Sequence, residues 1–162
     1  MNWTGAVRTV LVCAILIVLH YTLRPLLAWR ASIDFLIVAL LLGSVRLRPG
    51  AAAVYGFLLG LVADSIAVSP FGAAALAMSI VGFGASWLKA VFFADNLALN
   101  GFFLFLAKWI FDLIFLIVGH RAIGPELAMQ IFVWSPLAAA VTAVAGVIAL
   151  SVLKPLMEVR TA

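Results

Sequence analysis

Charge is what this chain has least of. Its 162 residues include ten Lys and Arg and six Asp and Glu, 10% charged in all, against 67% hydrophobic, with a mean hydropathy of +1.30. A soluble domain carries about a quarter charged residues. Too few polar side chains remain to clothe a water-facing surface, which excludes a soluble domain and leaves an all-α polytopic membrane protein, a single transmembrane domain over residues 1–162. Cysteine is nearly absent: Cys13 stands alone, so an internal disulfide and a thiolate metal site are both excluded and packing is its expected role. The two histidines, His20 and His120, have no companion at ligand spacing and are expected at span ends, with no metal. No Gly-rich loop precedes a Lys, no nucleophile elbow is present, and no His-Glu motif occurs, so no catalytic residue and no cofactor site is expected. Gly/Ser linkers and low-complexity tracts are missing as well, and with them any domain boundary.

What is present is a series of apolar runs. Crossing about 30 Å of hydrocarbon takes about 20 helical residues. The runs read as six spans: Thr4 to Leu23, Leu27 to Val45, Gly50 to Val68, Phe71 to Trp87, Leu97 to Gly119 and Met129 to Leu153. The second has a short uninterrupted apolar part, and Ser135-Pro136 predicts a kink or a late start in the sixth. The first run lacks a small-residue cleavage site and reads as a retained helix, not a signal peptide. Basic residues sit at span ends. With the N-terminus inside, Arg8, Arg46, Arg48, Lys89, Lys154 and Arg160 fall on the inner face and Arg24, Arg30 and Arg121 on the outer, which places both termini in the cytoplasm. The net charge of +4 is thus a topology signal, and no nucleic-acid partner is expected.

Two stretches stand out against this background. In Gly56-Phe-Leu-Leu-Gly60-Leu-Val-Ala-Asp64, the glycines open one helix face to a neighbouring backbone and Asp64 is the single formal charge of the third span. In Lys108-Trp-Ile-Phe-Asp112, a cation and an anion four residues apart share a helix face. Asp64 and Asp112 lie roughly 21–23 Å into parallel spans. The expectation is a buried polar cluster of Asp64, Lys108 and Asp112, with an ion pair inside the fifth span as the plainer alternative. A lipid-acting enzyme would have to be built on those same three residues. Asp34, four after Arg30, reads as a helix-end pair, Asp95-Asn96 as the cap of the fifth helix, and Glu126 after Pro125 as the start of the sixth. Ala138, Thr142 and Gly146 form a second small-residue stripe, and Ala75, Ser79, Gly82 and Ser86 a third; each serves either the bundle itself or a partner helix.

Gly60-Leu-Val-Ala-Asp64, followed by Pro70, Gly72, Ala75-Leu76 and the acid Asp112, resembles the bacterial rod shape-determining protein MreD family over the whole chain. The resemblance implies six helices in the bacterial cytoplasmic membrane, with a fold similar to the substrate-binding subunits of energy-coupling-factor transporters. It implies a non-enzymatic scaffold of the elongasome, supporting rod shape and lateral peptidoglycan synthesis. MreC is the implied direct partner, and MreB, RodA and its transpeptidase are implied members of the same assembly, within membrane lipid. Lys108 departs from the family pattern in some members. A small-molecule transporter subunit is the alternative, to be told apart by a polar cavity and a broken helix near the midplane.

Overall fold

The structure, a computed structural model, describes residues 3–23, 33–66, 71–88, 97–119 and 124–157. These form six helices: α1 (Trp3–Leu23), α2 (Phe35–Ser44), α3 (Pro49–Ile66), α4 (Ala73–Trp87), α5 (Leu97–Val118) and α6 (125–157). Among the described residues, three segments are long and apolar enough to cross a membrane, Pro49–Ile66, Ala98–Val118 and Glu126–Ala149, while Val10–Thr22, Phe35–Ser44 and Ala73–Trp87 are shorter apolar helices.

The centre of the bundle is α2. Its ten residues rise about 15 Å, half the hydrocarbon thickness. All ten are buried, and α2 touches each of the other five helices. Its composition explains this place. Phe35-Leu-Ile-Val-Ala-Leu-Leu-Leu is apolar on every side, which suits a helix with no exposed face. Within lipid this packing is favoured by close van der Waals contact and not by escape from water. Polar side chains of neighbouring helices meet the α2 backbone: Cys13 Sγ lies 3.6 Å and Tyr55 Oη 3.2 Å from the Ala39 carbonyl, and both donate to it. The second span was expected to start at Leu27; residues 27–32 lie outside those described, but Asp34 has non-helical φ −109°, ψ 86° and caps a helix that begins at Phe35. The cap fixes that start, since the Asp34 side chain accepts from the Leu36 N–H at 3.2 Å.

Helices α3 and α4 form the most extensive pair in the bundle. A Cβ at Gly56 would strike the Met78 carbonyl, and one at Gly60 would strike Ala75 Cα, both of them backbone. The two glycines therefore let α4 approach at backbone distance. Replacing Gly60 by Ala is expected to cost about 1–3 kcal/mol, because backbone cannot swing aside as a side chain does. Gly84→Ala, in the same hairpin but with nothing within 4 Å of the added methyl, should be neutral or stabilising by up to about 1 kcal/mol. Thermal unfolding of the two variants in detergent, compared side by side, checks this difference.

In α6 the helix runs Pro125–Met129, passes through a π turn at Gln130–Trp134, and continues Ser135–Met157. The irregularity expected at Ser135-Pro136 is thus present, one turn earlier. Pro136 has no N–H to give, and the Ser135 N–H reaches back five residues to the Gln130 carbonyl. That leaves the Ile131 carbonyl without a backbone donor four or five residues on. The Trp109 indole of α5 donates to it at 3.3 Å. Helix α6 starts four residues before the expected span start at Met129, where Glu126 after Pro125 marks its opening; Pro125 occupies the first turn, where its missing N–H is no loss.

Candidate functional site: a buried ion cluster and a capped hairpin

Lys108 lies near the middle of α5 and is 6% exposed. Its ammonium donates to Asp112 Oδ1 at 2.6 Å and to Asp34 Oδ2 at 3.0 Å, and lies 4.9 Å from the centroid of the Phe111 ring. The i, i+4 spacing on α5 supplies the first contact directly. The second depends on the fold, which brings the N-cap of α2 to the middle of α5. Around Asp34 the elements converge. Its Oδ1 is 3.4 Å from His20 Nδ1 of α1, and its backbone N–H donates at 3.2 Å to Thr142 Oγ1 of α6, which is fully buried. The His20 ring meets that of Tyr21 edge-on with centroids 5.2 Å apart. One residue, through its carboxylate and its backbone N–H, thus joins α1, α2, α5 and α6 at a single level.

The pairing of Lys108 with Asp112 is as the spacing suggested, but the third member differs. Asp34 stands where Asp64 was expected, and the Asp64–Lys108–Asp112 cluster is corrected on this point. Matched depth does not bring the two acids together, because α3 packs on α4 and α2 and not substantially on α5, and Asp64, in the last turn of α3, meets the beginning of α4. There its Oδ2 accepts from the Gly72 N–H at 2.9 Å and the Ala75 N–H at 3.1 Å, and its Oδ1 from the Ala74 N–H at 3.2 Å. Asp64 is 3% exposed and faces the protein interior, as a charge at that depth must. A carboxylate in the last turn of its own helix meets an unfavourable dipole of about 0.3–1 kcal/mol. Three bonds to the amino end of α4, charge-assisted and worth roughly 1.5–3 kcal/mol each, outweigh it. Gly72 takes φ +101°, a left-handed conformation that turns the chain into α4 and aims its N–H at Asp64. Gly60 and Asp64 are therefore one device: the glycine lets Ala74 and Ala75 come close, and the acid a turn later binds their amides. Pro70 lies outside the described residues.

The small-residue stripes also find their places inside the bundle. Thr142 accepts from Asp34, a Cβ at Gly146 would meet Leu104 at 2.9 Å and Val38 at 3.2 Å, and Ala138 is half-buried on the same face of α6. On α4, Ala75 and Ser79 meet the glycines of α3, a Cβ at Gly82 would meet the Ala52 carbonyl at 2.7 Å, and Ser86 Oγ donates to the Leu47 carbonyl at 2.7 Å. None of these described contacts leaves a stripe open for a partner helix.

Three residues of the cluster escaped sequence reasoning. His20, expected near a span end as an interfacial or hydrogen-bonded side chain, is 4% exposed beside Asp34, a neighbour that spacing does not indicate. Asp34 was assigned to Arg30, which lies outside the described residues. Thr142 was read as packing and is also the acceptor for the Asp34 amide. The one available signal was Asp34 itself, an acid just before an apolar run too short to span. Among the described residues, no three His, Cys, Asp or Glu side chains are grouped to hold a metal ion.

The arrangement is a polar clamp, with acids and cation satisfied by one another and by backbone. Comparison with curated proteins and with solved structures returned no match. The family described as rod shape-determining protein MreD matches residues 3–159, nearly the whole length. With its apolar helices, its glycine-and-acid hairpin and that match, the chain belongs to the MreD family of membrane proteins, whose role is in determining rod shape.

Proposed function

We propose that the chain is a non-enzymatic scaffold of the bacterial elongasome that holds MreC in the cytoplasmic membrane and so supports lateral peptidoglycan synthesis. In this reading all six helices cross or enter the membrane, with both termini cytoplasmic and a fold similar to the substrate-binding subunits of energy-coupling-factor transporters. MreB, RodA and its transpeptidase belong to the same assembly. The observation that carries the reading is how the polar side chains are used. Lys108, Asp34, Asp112 and Asp64 hold helices to one another, so the site is built for a fixed shape and not for turnover. A fixed shape is what a partner-holding protein presents.

Because the small-residue stripes face inward, MreC must meet an outward face made of large apolar residues. Candidates are Val54, Phe57, Leu58 and Val62 on α3, and Leu137, Val144 and Ile148 on α6, all exposed. The test is a photo-crosslinking scan through these positions in native membranes. The expected result is MreC captured along one helix face, with substitution of that face by charged residues abolishing MreC co-purification and rod shape. Capture nowhere, together with no co-purification of MreC by the unaltered chain, sinks the proposal.

A small-molecule transporter subunit is the second reading. It is favoured by α2, which begins near the middle of α5 as a broken helix at a midplane site would. Against it, the polar groups there bind each other at 2.6–3.0 Å instead of lining a cavity. Purification with an ATPase module in place of MreC would favour transport.

A further inference from the structure

At the start of α6, Glu126, Met129, Gln130 and Trp134 line an open cavity of about 320 Å³. Its chemistry is mixed: a carboxylate, an amide, an indole and a thioether. Glu126 is exposed, and its side chain makes no hydrogen bond or ion pair among the described residues. An acid in the first turn of a helix is ordinary, favoured by about 0.3–1 kcal/mol. That accounts for the charge but not for the cavity beside it.

The π turn accounts for the cavity. In a regular helix a step of four residues overshoots a full circle by about 40°. The wider π turn over Gln130–Trp134 pulls the second such step back, so Glu126, Gln130 and Trp134 stand in file along one side of α6. The π geometry is held by Pro136 and by the Trp109 indole on the Ile131 carbonyl. It is therefore built into the bundle.

Position limits what can enter. Contacts of Trp109 with Ile131 and of Gly101 with Val147 show α5 and α6 to be antiparallel neighbours, so the first turn of α6 lies at the end of the bundle where α5 finishes. In a membrane-spanning bundle that end sits among lipid headgroups. Met129, Phe132 and Val133, at or just below the cavity, are 55%, 73% and 51% exposed and suit acyl chains.

We propose that this cavity binds the headgroup of a phospholipid carrying a primary ammonium. Glu126 supplies the counter-charge, the Gln130 amide oxygen accepts a second N–H, and Trp134 offers an aromatic wall to the cation. A quaternary ammonium has no N–H for either acceptor, so phosphatidylethanolamine is favoured over phosphatidylcholine. The inference does not depend on MreC.

The test is native mass spectrometry of the full chain, delipidated in detergent and offered equal amounts of phosphatidylethanolamine and phosphatidylcholine with the same acyl chains. The expected preference for phosphatidylethanolamine is about tenfold, the worth of one hydrogen bond to a charged group. Glu126→Gln should bring the ratio close to one with an unchanged thermal midpoint and unchanged MreC co-purification. Gln130→Glu, which adds a second carboxylate, should raise the ratio. Equal retention of both lipids by the unaltered chain overturns the proposal, as does a preference that survives Glu126→Gln. So does a carbodiimide cross-link in native membranes joining Glu126 to a protein amine, which would assign the cavity to a partner's lysine.

Discussion

Replacing Lys108 by Met is expected to lose most of the folded protein. The substitution nearly conserves volume, so packing is little changed. What it removes is the cation that lies 2.6 Å from Asp112 and 3.0 Å from Asp34. Breaking a buried ion pair from one side costs about 3–5 kcal/mol, because the remaining charge stays desolvated. Here two carboxylates are deprived at once. That loss is a large part of the 5–15 kcal/mol typical of a whole domain. The control is the triple variant Lys108→Met, Asp34→Asn, Asp112→Asn, which removes both acids with the lysine and should recover much of the stability. Folded yield by size-exclusion in detergent, with thermal midpoints for whatever survives, reads the difference. If Lys108→Met alone behaves as the unaltered chain does, the ion cluster contributes nothing to holding α2 in place.

Asp64 is expected to give a graded series. Asp64→Asn keeps one acceptor oxygen but turns an NH₂ toward a backbone N–H, a loss of about 1–3 kcal/mol. Asp64→Ala removes the acceptor for the Gly72, Ala74 and Ala75 amides together, on the order of 4 kcal/mol. Asp64→Arg should be worst, since it brings a cation to the amino end of α4, where the dipole already carries positive charge. Accessibility of cysteines placed along the α3–α4 contact, measured in membranes for each variant, follows the opening of the hairpin. An order in which Asn is as damaging as Arg would mean that ionisation, and not acceptor geometry, is what the hairpin requires. A flat series would show that the cap contributes nothing to the hairpin.

How much of this was legible from the residues differs from place to place. The glycine stripe of α3 and the Lys108–Asp112 pair follow from helical spacing alone, and both are found in the structure as contacts. The helical class and the family resemblance were likewise legible, the second through Gly60, Asp64, Gly72 and Asp112. The partners of Asp64 and Lys108 were not. Depth counting assumed that every span crosses the full thickness and that equal residue counts mean equal heights. Equal height is not contact: α3 packs on α4 and α2 and not substantially on α5, and α2, which rises only about half the thickness, begins at the level of Lys108 and brings Asp34 there instead. Asp34 and Thr142 are 108 residues apart in sequence, and no local pattern announces such a bond. The stripes of α3, α4 and α6 face other helices of the bundle, but spacing cannot say whether the neighbour is the same chain or another.

The short central helix has a consequence for how the protein is made. Phe35–Ser44 leaves the ribosome long before Lys108 and Thr142 exist. It is too short to cross a bilayer by itself. Of the side chains around Asp34, His20 of α1 precedes it in the chain, while Lys108 of α5 and Thr142 of α6 come long after, so Asp34 meets its cation only once α5 has been made. Helix α2 can pack against α1, α3 and α4 as they emerge, but the acid at its start has no Lys108 to meet until the fifth helix is added. The last helices to be synthesised complete a polar cluster that the first two begin.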